Sequence, residues 1–315
     1  MKNKIYLTLS IIFITIIIIF FLIFLLFFYQ NLEFKKKNEE SSNFTIIVLP
    51  DTQKYSKDYP EIFTNQTKWI VENKDRLNIK FVIHEGDIID NSAEIRQWDN
   101  ANSSISILEK NNIPFSLIPG NHDSNNKKNY TYYDLYFPKS RFESKNWFLG
   151  NYDNYKNNYA LLKINNQNYL FLNLDFCPNE SVINWANEIL KNYSEYRIIL
   201  TTHAYLDNNE LPKRNSHVCG STEYLWNNLI KKQKNLQIVL SGHVHAERRR
   251  VDLNEYNKSV YQILANYQNM EKGGSGYLRI MTFTKDNKVY VKTYSPYLNN
   301  YKQNFESEFV IDLDN

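Results

Sequence analysis

Beyond residue 43 short apolar runs recur along the chain, each ended by a polar turn: FTIIVL (44–49), IKFVI (79–83), FSLI (115–118), YALLKI (159–164), YLFLNL (169–174), RIILTT (197–202) and LQIVLS (236–241). Their length and their Ile, Leu, Val and Phe content predict strands buried on both faces. Between several of them the pattern widens to helical spacing, around residues 61–76, 93–110, 180–191 and 221–232. Trp69, Trp98, Trp185 and Trp226 fall on the inward faces of these helices, where bulky aromatics build a core. Alternating strands and helices predict an α/β fold. The last third differs: VYQILANY, YLRIMTF, KVYVKTYS and EFVIDL follow one another across short turns and predict an antiparallel layer against the first sheet. Residues 124–158 lack either rhythm and are rich in aromatics. That segment either packs by its own rings or forms a lip over a site, since long loops in compact domains are often functional.

The start of the chain has a different pattern. Residues 5–29 contain no charge, Gly or Pro, so roughly 25 residues of helix could cross a bilayer core. The flank Gln30, Asn31, Leu32, Glu33 lacks the small-residue cleavage site of a signal peptide, which favours an uncleaved anchor. Lys2 and Lys4 on one side nearly balance Lys35, Lys36 and Lys37 on the other, so charge bias decides little. The short leading tail leads us to expect the N-terminus inside and the bulk of the chain outside the cytoplasm. The expected organisation is a tail over 1–4, a single transmembrane helix over 5–29, a linker over 30–43 and a folded domain over 44–315.

Composition narrows the class. With 315 residues and 43% apolar content the chain can bury a sizeable core. The net charge of +3 comes mostly from the tail, so the folded part is nearly neutral and no nucleic-acid partner is expected. Asn-X-Ser/Thr sequons at Asn43, Asn65, Asn102, Asn129, Asn179, Asn192 and Asn257 carry little weight in so Asn-rich a chain. Cys177 and Cys219 could form one disulfide or remain two buried thiols, and a pair is too few for a zinc framework.

The candidate chemistry lies just past the strands. FTIIVL runs into Pro50, Asp51, Thr52, Gln53; IKFVI into His84, Glu85, Gly86, Asp87 and then Asp90; FSLI into Pro119, Gly120, Asn121, His122, Asp123; RIILTT into His203; and LQIVLS into Gly242, His243, Val244, His245. Five of the 6 histidines sit at strand ends. Ligands of open α/β sheets bind beyond the carboxyl ends of strands, so these side chains are expected to share one crevice. Imidazoles, carboxylates and an amide oxygen suit divalent transition metals, and a bridging carboxylate can hold two ions about 4 Å apart. Such a pair generates hydroxide at neutral pH and neutralises charge on phosphoryl oxygens.

The ordered set DTQ, GDIID, GNHD, the TTH histidine and GHVH resembles the calcineurin-like metallophosphoesterase family over residues 44–246. LPDTQ, LNLDFCP and ANYQNMEKGGSGYLRIMTF are similar to a secreted or surface branch of it. The resemblance implies an α/β two-sheet sandwich flanked by helices, with two divalent metal ions (Mn, Zn, Fe or Mg) at strand ends. It implies a first metal on Asp51, Gln53, Asp87 and His245, and a second on Asp87, Asn121, His203 and His243. It implies His122 as general acid to the leaving alkoxide, with Asp90 orienting and charging it through a hydrogen bond. The implied substrate is a small phosphodiester or phosphomonoester, attacked by hydroxide bridging the metals.

Some residues depart from the family's pattern. The first block usually ends in His, and Gln53 offers a neutral, harder oxygen that favours a looser or harder first metal. Asp90 stands where the purple acid phosphatase branch needs Tyr, and Asn91 and Asp123 do not match the protein phosphatase branch. Arg248, Arg249 and Arg250 read as a solvated or salt-bridged edge rather than a phosphate site, GGSG (273–276) as a turn, and His84 and Glu85 as groups beside the metals, His84 chiefly by packing. A non-catalytic binding module that keeps this fold is the alternative, but it should show eroded ligands, whereas only one block deviates here.

Overall fold

The computed structural model of the chain describes residues 17–29, 43–125, 129–214 and 219–314. The chain divides into two units, 1–43 and 44–315. In the first, residues 17–29 form helix α1, and its apolar side chains are exposed. No helix among the described residues is long and apolar enough to cross a membrane. The transmembrane helix expected over 5–29 is not found among the described residues; residues 5–16 and nearly all of the 30–43 linker lie outside them.

The second unit contains two seven-stranded sheets. In the first, β1 (Phe44–Leu49), β2 (Ile79–His84) and β3 (Phe115–Leu117) run parallel. On its other side β1 pairs antiparallel with β11 (Leu278–Phe283), which leads to β12 (Lys288–Ser295) and its partners β13 (Asn300–Lys302) and β14 (Glu308–Asp312). In the second sheet β4 (Phe148–Tyr152), β5 (Asn157–Ile164) and β6 (Gln167–Leu174) form a meander. There β6 continues in parallel through β7 (Arg197–Thr202), β8 (Leu236–Ser241) and β10 (Ser259–Ala265), and β9 (Glu247–Leu253) closes the edge antiparallel to β10.

The apolar runs become central strands because both faces of each are covered. On β6, Tyr169 and Phe171 face the core between the sheets, while Leu170, Leu172 and Leu174 pack on the opposite face with α6 (Glu180–Asn192) and α7 (Thr222–Asn228). Across the interface Phe81 stacks on Phe171 at 4.1 Å and Phe44 meets Tyr169 edge-on at 5.1 Å. The helices α3 (Pro60–Glu72) and α4 (Ile95–Lys110) contribute Ile62, Phe63, Ile70, Trp98, Ala101, Ile105 and Leu108 to the buried core. The last third departs from the expected single antiparallel layer. VYQILANY enters the second sheet parallel to β8, and only β11 to β14 extend the first. The described residues of the 124–158 segment pack by their own rings: Tyr133, Phe137, Phe142, Trp147 and Tyr155 are buried, and Phe142 stacks on Tyr155 at 3.7 Å.

Two cross-links tie these layers together. Cys177, after β6, is disulfide-bonded to Cys219, before α7, with Cα atoms 5.3 Å apart, well within disulfide reach. Glu247 on β9 accepts from Arg279 of β11 (3.1 Å), Thr293 of β12 (3.2 Å), Tyr267 (2.8 Å), Lys302 (2.6 Å) and Ser307 (2.7 Å), joining the edge of one sheet to the middle of the other. Burial alone would raise its carboxyl, but Arg279, Lys302 and Ser307 hold it down at about 2. The arginine run beside it is engaged structurally: Arg249 pairs with Glu306, Arg250 with Asp252, and Arg248 donates to the carbonyls of Asn208 and Asn209. Glu247→Ala would strand buried Arg279 without its carboxylate, so a loss of roughly 3–5 kcal/mol is expected in denaturant unfolding; a loss under about 1 kcal/mol would show that the network is not holding the sheets.

Candidate metal centre

The parallel strands β1, β2, β3, β7 and β8 end at one edge, and their terminal residues meet there. Asp87 is central. It succeeds Gly86 in a left-handed turn, with φ +96° at Gly86 and +49° at Asp87, a conformation uncommon for a residue with a Cβ. The turn aims a fully buried carboxylate at the neighbouring loops: Oδ1 accepts from the His122 amide at 2.9 Å and lies 3.3 Å from His203 Nε2. A Cβ on Gly120 would stand 2.1 Å from that oxygen, so the glycine of GNHD is there for clearance.

His203 and His243 complete a compact group. His203 Nδ1 donates to the Glu85 carbonyl at 2.8 Å, turning Nε2 toward Asp87, Asn121 Oδ1 (3.1 Å) and His243 Nδ1 (3.3 Å). The ligand atoms of Asp87, His203 and His243 all lie within 4.8 Å of one another, the one such group of three His, Cys, Asp or Glu among the described residues. Burial works against charge on His203, but Asp87 and Asp51 lift its pKa to about 10. Asp87 is correspondingly lowered, its burial outweighed by His203 and His122. His243 is held down at about 4 by burial and by His203.

The residues expected to hold a first metal are arranged more loosely. Asp51 is buried and accepts from the His243 amide (3.2 Å) and from Asn266 Nδ2 (2.7 Å). Burial pushes its carboxyl up to about 8, against the pull of His203. Gly242 is packed so closely that a Cβ would stand 2.1 Å from Asp51 Oδ1. Gln53 opens α2 (Gln53–Asp58), buried, and its Oε1 has no hydrogen-bond partner among the described residues. His245 is exposed, with Nε2 2.6 Å from Gln268 Nε2. Asp51 and His245 do not join the Asp87 group. An orphaned buried amide oxygen, an imidazole oriented by its far nitrogen and a desolvated carboxylate are the donors that a divalent cation requires, and the residues fit one.

His122 hangs on the same framework. Its Nδ1 is 2.7 Å from the Asp90 main-chain carbonyl. A carbonyl only accepts, so Nδ1 carries a hydrogen and Nε2 is left to exchange a proton. The expected contact was with the Asp90 carboxylate, but that group is taken by Lys54 (2.8 Å) and Lys57 (2.7 Å). Two neighbours are structural. His84 is buried, Nε2 on Thr52 Oγ1 (2.9 Å) and Nδ1 accepting from Gly86 N (3.2 Å), with its pKa lowered to about 3 by burial. Asp123 accepts from the amides of Ile88, Ile89 and Gly120.

Asn266, Gln268 and Phe176 fall within the ANYQNMEKGGSGYLRIMTF and LNLDFCP runs, but the sequence assigns none of them a role. The first two lie just past β10, whose parallel pairing with β8 brings its end to the same edge; strand-end position is the available signal, obscured by the expectation of an antiparallel β10. Phe176 lies 5.7 Å from the rings of both His203 and His243.

Residues 44–247 match the calcineurin-like phosphoesterase family, and the chain belongs to it. That family comprises metal-dependent phosphoric ester hydrolases that use two divalent ions. The chain is 39% identical over 263 residues to the uncharacterized protein YvnB of Bacillus subtilis (strain 168), covering 81% of this chain and only 20% of that longer protein. Its fold is similar to that of purple acid phosphatase PPD1 from yellow lupin (TM-score 0.60, 13% identity, 87% of this chain and 54% of that one). It is also similar to a dimetal phosphatase from Danio rerio (TM-score 0.58, 11% identity, 86% of this chain and 99% of that one).

Protons on His203 and Asp51 must leave before these atoms can bind a cation. With His203 near 10 and Asp51 near 8 in the metal-free site, affinity for Mn or Zn is expected to rise from pH 6 to pH 9 with proton release on binding. Calorimetry in buffers of different ionisation enthalpy measures this; a flat affinity with no proton release would contradict the protonated site.

Proposed function

We propose that the protein hydrolyses a small phosphoester at a dinuclear centre. Asp51, Gln53, Asp87 and His245 would hold one divalent ion, and Asp87, Asn121, His203 and His243 the other. The observation that carries this reading is the convergence of the Asp87, His203 and His243 donor atoms within 4.8 Å, with Asn121 Oδ1 3.1 Å from His203. When bound, the ions would lower the pKa of water and neutralise charge developing on the phosphoryl oxygens.

The chain's own groups supply the rest. Asp87, anchored by the His122 amide, fixes the spacing between the two ligand sets. His122 Nε2 hands a proton to the leaving oxygen while Nδ1 stays on the Asp90 carbonyl. Protonation matters most for a poor alkoxide leaving group, which favours a phosphodiester over an activated monoester. Residues 5–29 are read as a membrane anchor because they lack charge, Gly and Pro. The Cys177–Cys219 bond supports an oxidising, extracytoplasmic setting.

The decisive assay offers p-nitrophenyl phosphate and bis-p-nitrophenyl phosphate to the purified protein with Mn, Zn, Mg or Ca. Turnover of at least one ester, abolished by chelation, is expected. No turnover with any metal, together with no metal binding, would leave a binding module. His122→Ala should lower kcat about 10²–10⁴-fold on alkyl esters and far less on p-nitrophenyl esters. Asp90→Ala retains the carbonyl that holds His122, so its loss on alkyl esters should be much smaller; equal losses would return the orienting role to the carboxylate.

Gln53 generates a separate expectation. An uncharged amide oxygen is a weaker donor than imidazole, so titration of metal-free protein should resolve two affinities, with the weaker one tightened by Gln53→His. If Gln53→Ala leaves both affinities unchanged, Gln53 is not a ligand.

A further inference from the structure

Strand β6 ends at Leu174, in register with Thr202 of β7, so the turn Asp175, Phe176, Cys177 lies beside His203. That turn is pinned on both sides of Phe176. The Asp175 amide donates to Asn157 Oδ1 at 2.9 Å, and its carbonyl accepts from Thr202 Oγ1 at 3.0 Å. Cys177 is held in the left-handed region at φ +56° and bonded to Cys219, which is itself buried. Between these fixed points the Phe176 ring lies edge-to-face with His203 and tilted to His243, 5.7 Å from each, while the two imidazoles are 5.1 Å apart.

The two imidazoles are not equally secured. His203 has its far nitrogen on the Glu85 carbonyl, the arrangement that usually orients a metal-binding histidine. The hydrogen-bond contact of the His243 ring among the described residues is Nδ1 with His203 Nε2 at 3.3 Å, and those are the nitrogens a cation would separate. Among the described residues no carbonyl or carboxylate holds the ring. Its backbone is left-handed, φ +66°.

We propose that Phe176 is a positioning residue that sets the orientation of the His243 imidazole by ring contact, replacing the missing hydrogen bond, and that the Cys177–Cys219 disulfide holds Phe176 in place. This rests on the reading of His203 and His243 as ligands of one ion. Aromatic contacts prefer edge-to-face and offset geometries, so a planar ring fixes a neighbouring imidazole more narrowly than an aliphatic side chain of similar volume.

The test is Co²⁺ binding to metal-free full-length protein, monitored by calorimetry and by visible absorption, alongside circular dichroism. Phe176→Ala is expected to weaken one of the two sites about 10–100-fold, the usual effect of removing a group that orients a ligand, and to alter the Co²⁺ spectrum. Phe176→Tyr, which keeps the ring, should retain wild-type affinity. The Cys177→Ser, Cys219→Ser double variant should shift the same site in the same direction. Should Phe176→Ala not fold, Phe176→Leu, which keeps apolar volume without a planar ring, replaces it with the same expectation. Folded Ala or Leu variants with wild-type affinities and spectrum overturn the positioning role alone. Wild-type protein that binds no Co²⁺ overturns the ligand reading as well.

Discussion

One buried carboxylate organises this end of the molecule. Asp87 is sealed from water, and an ionised carboxylate in such a place persists only if donors converge on it. They come from separate loops: the His122 amide after β3 and His203 after β7, while the Thr52 amide after β1 binds the Asp87 carbonyl. Each contact stabilises Asp87 and also sets the position of the loop that makes it. The left-handed turn at Gly86 and Asp87 and the absence of a side chain at Gly120 are local costs of bringing these loops so close.

The strand ends can rely on this hub because the layers beneath them are fixed from both directions. Aromatic stacking between β2 and β6 holds the sheets face to face. The Glu247 network links β9 to β11 and β12 just two residues beyond His245. That network is a buried, multiply paired charge, costly to disrupt and weak as a net source of stability. Its contribution is register: the chain that carries His243 and His245 leaves β8 at a fixed height above the other sheet.

The two proposed ligand sets differ in readiness. Around Asp87 the side chains are already close enough to share an ion, whereas Asp51 is satisfied by amides and Gln53 Oε1 by nothing among the described residues. A site held together by protein hydrogen bonds must exchange them for metal contacts; an orphaned acceptor has none to give up. The asymmetry expected from Gln53 as a weak donor therefore coexists with an arrangement in which that oxygen is the least committed atom of its set.

Much of this is legible in the sequence. The strands before each site residue are readable because buried parallel strands need continuous apolar runs, and β1, β7 and β8 lie where FTIIVL, RIILTT and LQIVLS stand. The grouping of Asp51, Asp87, Asn121, His122, His203 and His243 at one edge stems from parallel strands placing their carboxyl ends together. What the run of residues cannot carry is pairing. Whether VYQILANY lies antiparallel in the first sheet or parallel to β8 depends on contacts with distant parts of the chain, and so Asn266 and Gln268 come to the site unannounced. Likewise, Asp90 has one carbonyl and one carboxylate in any chain; only the approach of Lys54 and Lys57 decides that the carboxylate is neutralised there and that the carbonyl holds His122. Local sequence determined which chemistry was available at each strand end, and tertiary structure decided which atoms face one another, because direction and distance between side chains exist only once the sheets are packed.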